Sequence, residues 1–260
     1  MAFVTSPPAD PLAPLAELPG IPDALEEARE AIAAVHRHQA NRRGWATSAA
    51  EASLRAARSS AALAGGTVRL GTTGDVDDPI VAGALRVAGI LHGEGLDHAT
   101  AVWTRAPLQQ LARMHTLAAA GLDSEVPDAD LERLGRPRAD AGVSERLQGL
   151  AALVTGGTNV AAPVLSAVVH GELASLRPFG YADGVVARAA SRLVCVSTGL
   201  DPRGLGVPEV LWNRDRDRYE TLLAGFATGT AEGLTDWIAF QCEAIVDGAR
   251  EARAIADAAG

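Results

Sequence analysis

Residues 170–188 read HGELASLRPFGYADGVVAR, and this stretch gathers residue types that can do chemistry. A helix carrying His170 and Glu172 runs into an Arg177-Pro178-Phe179 turn. A short loop holding Gly180 follows, and a second helix opens near Asp183-Gly184 with Arg188 one turn in. A loop feeding a helix N-terminus favours anions, because unpaired backbone N–H groups and the helix dipole both attract negative charge. Gly184 lets a backbone N–H approach an anion closely. Arg188, four residues later, can turn its guanidinium to the same space. Asp183 works in the opposite direction, and is expected to fold back as an N-cap onto the amides of the next turn.

Composition narrows the chemistry further. The chain has 260 residues, 48% hydrophobic but only 4% aromatic, so its core must be aliphatic. Ala-rich helices pack closely, which predicts an all-α fold. A net charge of −9 argues against a nucleic-acid backbone as the partner. No lysine occurs, which excludes a Gly-Lys-Ser/Thr phosphate loop and suggests a GC-rich genome. Cys195 and Cys242 are the only cysteines and lack metal-site spacing, which predicts inert thiols in a reducing cytoplasm. No apolar run reaches the roughly 20 residues that cross a bilayer, so no membrane partner is expected.

The elements that position the loop read as one helical domain over 21–260, behind a flexible Pro-rich arm over 1–20. Asp23 and Glu26 stand in a capping-box relation at the first helix. Further helices are predicted over about 47–63, 79–92, 107–120, 143–154, 161–175, 183–198, 215–227 and 230–258. Asp78 suits an N-cap, and Pro107 a first helical turn. A short β-hairpin flap is allowed near 67–75, and an irregular connector runs to Gly142. His36 and His38 point to different faces of their helix, which disfavours a metal site. WNRDRDRYE reads as a solvated helix face. Leu234, Trp237, Ile238, Gln241, Ile245 and Gly248 mark a mostly core face of the last helix, with Trp237 and Trp212 as candidate interface anchors in a chain so poor in aromatics.

The central loop resembles the signature of the Fic/Fido family, His-x-Phe-x-Asp/Glu-Gly-Asn-Gly-Arg-x-x-Arg. Phe179, Gly184 and Arg188 fall in its register, and His170 stands where family members often carry a histidine. LQQLARMHTL resembles a family helix, and Gly135–Arg138 resembles its Gly-x-x-Arg turn. Ser60, Ala64 and Gly65 resemble the inhibitory Ser/Thr-x-x-x-Glu-Gly motif, whose Glu pairs with the last loop arginine in active relatives. The resemblance implies a Fido-like helical domain.

The departures from that pattern shape the functional expectation. The position of the family's catalytic histidine is Arg177, which stays protonated and cannot accept a proton. The acidic Mg²⁺ position is Tyr181, a poor ligand for a hard cation. The Asn position is Asp183, the first arginine is Val185, and the small residue before Asn is Ala182. The inhibitory Glu is Ala64, which leaves Arg188 without that partner. The loop residues Arg177, Phe179, Asp183, Gly184 and Arg188 therefore form an anion-binding candidate with no assigned catalytic group and no metal ligand. His170 is expected to pack in the core, and an Asp183–Glu172 carboxylate pair has little support. The preferred expectation is a catalytically defective Fic-like protein that acts by binding a protein, another copy of itself, or an anionic ligand. No cofactor is required, and the resemblance leaves room for weak ATP and Mg²⁺ binding. One alternative is an active nucleotidyl- or phosphoryl-transferase with relocated residues; another is a helical scaffold unrelated to Fic.

Overall fold

Two helices bring the loop into place, and both are buried on almost every face. In the computed structural model they span Ala162–Leu176 and Asp183–Ser197, and they pack against each other. The structure describes residues 10–67, 77–122 and 133–259. In chain order the helices are α1 (Ala13–Ala16), α2 (Ile21–Arg37), α3 (Gln39–Leu63), α4 (Pro79–Gly89), α5 (Gly93–Trp103) and α6 (Pro107–Ala119). These are followed by α7 (Val143–Ala152), with a π turn at Leu153–Gly157, then α8 (Ala162–Leu176) and α9 (Asp183–Ser197). α10 (Glu209–Arg214), α11 (Arg216–Ala227) and α12 (Ala231–Ala259) complete the fold. Among the described residues there is no strand. The expected hairpin near 67–75 lies almost wholly outside them.

A helix that is apolar all round belongs inside. Buried positions follow one another along α8 from Pro163 to Leu173, and along α9 from Val185 to Val194. This pair stands between two apolar clusters. One joins α4, α5, α6 and α7 to Val169, Leu173, Val186 and Leu193. The other joins α2, α10, α11 and α12 to Val164 and Ala167. Burying each such aliphatic side chain is worth roughly 1.5–3 kcal/mol. α8 and α11 approach closely because residue 171 is glycine: a Cβ there would lie 2.7 Å from the Phe226 ring.

Several expectations need correction. α2 starts at Ile21 behind Gly20, so Asp23 sits in the first turn and is not the cap. Part of the expected arm is anchored to the domain: Asp10 accepts from Thr158 and Asn159, and Leu12 is buried. Residues 1–9 lie outside the described set. α3 begins earlier than expected and bends at Gly44. Helix α5 has no counterpart among the predicted elements, because GEGLDHATAVW opens with two glycines and has a weak apolar stripe. Trp212 and Trp237 are buried core, not interface anchors, and Trp237 Nε1 donates to the Ala167 carbonyl at 2.9 Å. Asp78 does cap α4, accepting from the amides of Ile80 and Val81. Pro107 opens α6 as predicted.

Candidate functional site

The 177–182 loop is held in an unfavourable conformation. Among the described residues only Arg177 (φ 49°) and Ala182 (φ 53°) adopt positive φ without being glycine. Each costs roughly 1–2 kcal/mol, so the surroundings must fix them. Phe179 is one anchor, stacked on His115 of α6 with ring centroids 4.1 Å apart. The Gly135–Arg138 turn is the other. Gly135 N donates to His115 Nδ1 at 3.0 Å. Arg138 donates from Nε to the Arg177 carbonyl (2.9 Å) and from a terminal nitrogen to that of Leu176 (3.0 Å), closing the C-terminus of α8. Burial pushes His115 down to about 4, so it is a neutral support at physiological pH.

Asp183 does not cap the next turn as expected. Its Oδ1 turns back and accepts from the Phe179 amide at 2.9 Å. Ala182, not Asp183, occupies the N-cap position of α9 and brings no side-chain cap. The reversal follows from the positive φ of Ala182, which aims the first helical residue at the loop. Asp183 is only 4% exposed, and among the described residues its Oδ2 has no hydrogen-bond partner. Burial drives its carboxyl up to about 6, against the opposing pull of the Phe179 amide and of Arg177.

Arg188 pairs with no carboxylate at position 64, as Ala64 implies, but it does have a neutral partner. The α3 helix supplies it one turn earlier, through Ser60: Arg188 Nε donates to Ser60 Oγ and a terminal nitrogen to the Ser60 carbonyl, both at 2.8 Å. Ala64 and Gly65 end α3, with Gly65 at φ 93° in the usual glycine C-terminal position. The guanidinium lies over Gly184, where a Cβ would sit 3.1 Å from it. A side chain at 184 would therefore push the Arg188 guanidinium aside by a few tenths of an ångström.

Behind Arg188 runs a buried polar chain that sequence spacing does not reveal. The charge of Arg188 acts on the Tyr219 phenol, and Tyr219 Oη lies 2.8 Å from His170 Nε2. His170 Nδ1 lies 3.2 Å from Gln241 Oε1. Burial, aided by the charge of Arg188, lowers His170 to about 3. A neutral ring then donates from Nδ1 to Gln241 and accepts the Tyr219 proton at Nε2. His170 is a core residue, as expected. Tyr219 escapes sequence reasoning because it lies in the charged WNRDRDRYE run, which in fact divides into α10 and α11. Glu172 pairs with Arg146 at 2.7 Å, so it forms no carboxylate pair with Asp183. His36 and His38 each bind a separate carboxylate, Asp201 and Asp257.

The 177–182 loop and the start of α9 border a cavity of about 580 Å³. Arg177, Asp183, Gly184 and Arg188 line one side, Tyr219, Glu220 and Leu223 another, and Leu63, Ala64, Ile80, Ala118 and Leu122 the apolar remainder. The volume falls in the range of small-molecule sites. Among the described residues no group of three His, Cys, Asp or Glu could hold a metal ion, and no helix is long and apolar enough to cross a membrane.

The sequence matches no protein-family model and no curated protein. Its structure is similar to the crystal structure of a Fic family protein from Desulfovibrio desulfuricans G20, with a TM-score of 0.58. The match covers 91% of this chain and 74% of the other at 19% identity. The all-α architecture of this chain is therefore a Fic-like fold.

Proposed function

We propose that this is a catalytically defective Fic-like protein that acts by binding, at the loop cavity, an anionic ligand or the anionic part of a protein partner. The observation that carries the proposal is the pairing of a large cavity with a loop whose proton acceptor is gone. Arg177 occupies the position where the resemblance places the base. It sits at the α8 C-terminus and donates to the Gly180 carbonyl at 3.1 Å. Losing a general base costs about 10²–10⁴ in rate. Mg²⁺ and ATP fit this donor set poorly. Tyr181 offers a phenol where a hard cation wants carboxylate, and Asp183 places a carboxyl where phosphate oxygens would approach. Nucleotide affinity is expected to be around millimolar, roughly −4 kcal/mol. Burial pushes the thiols of Cys195 and Cys242 up to about 12, which supports the reading of both as unreactive.

The competing reading is a transferase with relocated residues. Asp183 favours it, because a carboxyl near 6 beside a cavity lies in the range of general bases. Incubation with radiolabelled ATP and Mg²⁺ separates the two. The binding role predicts no labelling of the protein or of lysate proteins, and none after Arg177→His alone. Robust labelling that disappears in Arg188→Ala would establish the transferase.

A further inference from the structure

The cavity wall carries two cations, Arg177 and Arg188, and two acids, Asp183 and Glu220, beside the phenols of Tyr181 and Tyr219. It is thus formally neutral when both acids are ionised. Arg188 is already committed to Ser60. Asp183 cannot swing aside, because the Phe179 amide holds its Oδ1 and the residue is buried. An anion over the Gly184 amide therefore sits beside a fixed carboxyl. Ionised, that carboxyl repels it.

We propose that the loop cavity takes a tetrahedral dianion together with a proton, the neutral carboxyl of Asp183 being the form that admits it. This rests on the loop being an anion site. Protonation removes the repulsion, leaves the wall with a net positive charge, and turns Asp183 into a hydrogen-bond donor.

The groups around Asp183 are few. Arg177 faces it from the loop, and Arg138, held by the Leu176 and Arg177 carbonyls, faces it from the connector. α6 contributes His115, near 4, and α11 contributes Glu220 and Tyr219, the phenol raised by burial. α9 itself contributes Arg188. Asp183, near 6, is the group placed to exchange its proton around neutrality.

Sulfate is the probe, because it stays dianionic across this range and its own titration cannot mimic the effect. Calorimetry at pH 5.5 and 7.5, in buffers of different ionisation heat, reads both affinity and proton exchange. Affinity should fall by about 20-fold from pH 5.5 to 7.5 as the competent fraction falls, with proton uptake on binding. Asp183→Asn should bind at least as tightly as the parent at pH 5.5 and show no pH dependence. Sulfate binding by the parent with no pH dependence and no proton uptake overturns the proton linkage while the anion site stands. No sulfate binding at pH 5.5 by either protein overturns the anion site itself.

Discussion

Helix α9 has a buried aspartate near each end, and the two are treated in opposite ways. Beyond its C-terminus Asp201 is 5% exposed and every oxygen is used. Oδ1 accepts from the Leu205 amide (3.0 Å) and from His36 (2.8 Å), and Oδ2 accepts from the Gly206 amide (2.8 Å). Arg192 reaches the Gly204 and Gly206 carbonyls, and the positive-φ positions there, 199 and 204, are glycine. At the N-terminus Asp183 has one bonded oxygen and, among the described residues, one without a partner, and the non-glycine positive-φ positions are Arg177 and Ala182. Burial raises both carboxyls, but the hydrogen bonds of Asp201 outweigh it and hold that group below the usual range. Asp183 stays near 6. Asp201 is fully satisfied, whereas Asp183 keeps an unmet hydrogen bond beside a strained loop and a cavity.

The sharpest way to break this contrast is Asp201→Ala. It strands two buried amides and the His36 contact, and should cost roughly 3–5 kcal/mol of stability. Urea denaturation measures it, and a loss under about 1 kcal/mol would mean that the C-terminal loop is not held by this residue.

The next effect is set by pH. His115 lies below its ordinary value in the folded chain, so its stabilising contribution is complete above about 6.5 and is lost as pH falls towards about 4. Each pH unit between the folded and the ordinary value is worth about 1.4 kcal/mol, which makes His115 alone worth about 3 kcal/mol. His170 adds in the same direction. Stability measured across pH 7 to 4 should fall; a flat profile would contradict neutral, buried rings.

Asp183→Asn should do the reverse of Asp201→Ala. The folded carboxyl is raised, so its contribution is present below about 4 and is lost as pH rises through about 6. The Asn variant should be more stable than the parent by about 3 kcal/mol at pH 8, with the gain vanishing near pH 4. Thermal melts at both pH values test this, and a loss of stability at pH 8 would show that the ionised form is well held.

Ala182→Gly is the smallest change. It relieves a left-handed alanine and should stabilise by about 1 kcal/mol. Paired melts of parent and variant measure it, and a destabilisation would place the strain elsewhere.

The helical class is legible in the sequence because α4, α6, α8 and α12 carry long apolar patterns and clear end signals, such as Asp78 and Pro107. Helix α5 is not, since its glycines and weak stripe carry no local preference, and packing against α6 and α9 decides it. In the site, Gly184 and Arg188 are readable from a loop that feeds a helix, and Phe179 from the resemblance to the Fic/Fido signature. The Ser60 contact to Arg188 is not, because it depends on how α3 crosses α9 rather than on sequence distance. Nor is the direction of Asp183, which one backbone angle at Ala182 reverses. Tyr219 is hidden for a similar reason: a buried phenol in a charged run shows only once the chain bends between α10 and α11.

The contrast between the two aspartates is tested most directly by carbon-13 NMR titration of the side-chain carboxyls. Asp183 should titrate near 6 and Asp201 below the ordinary value of 3.8. Asp183 titrating at or below about 4, the ordinary aspartate value, would mean that the loop already satisfies its carboxylate, and that the N-terminal end of α9 is as closed as the other.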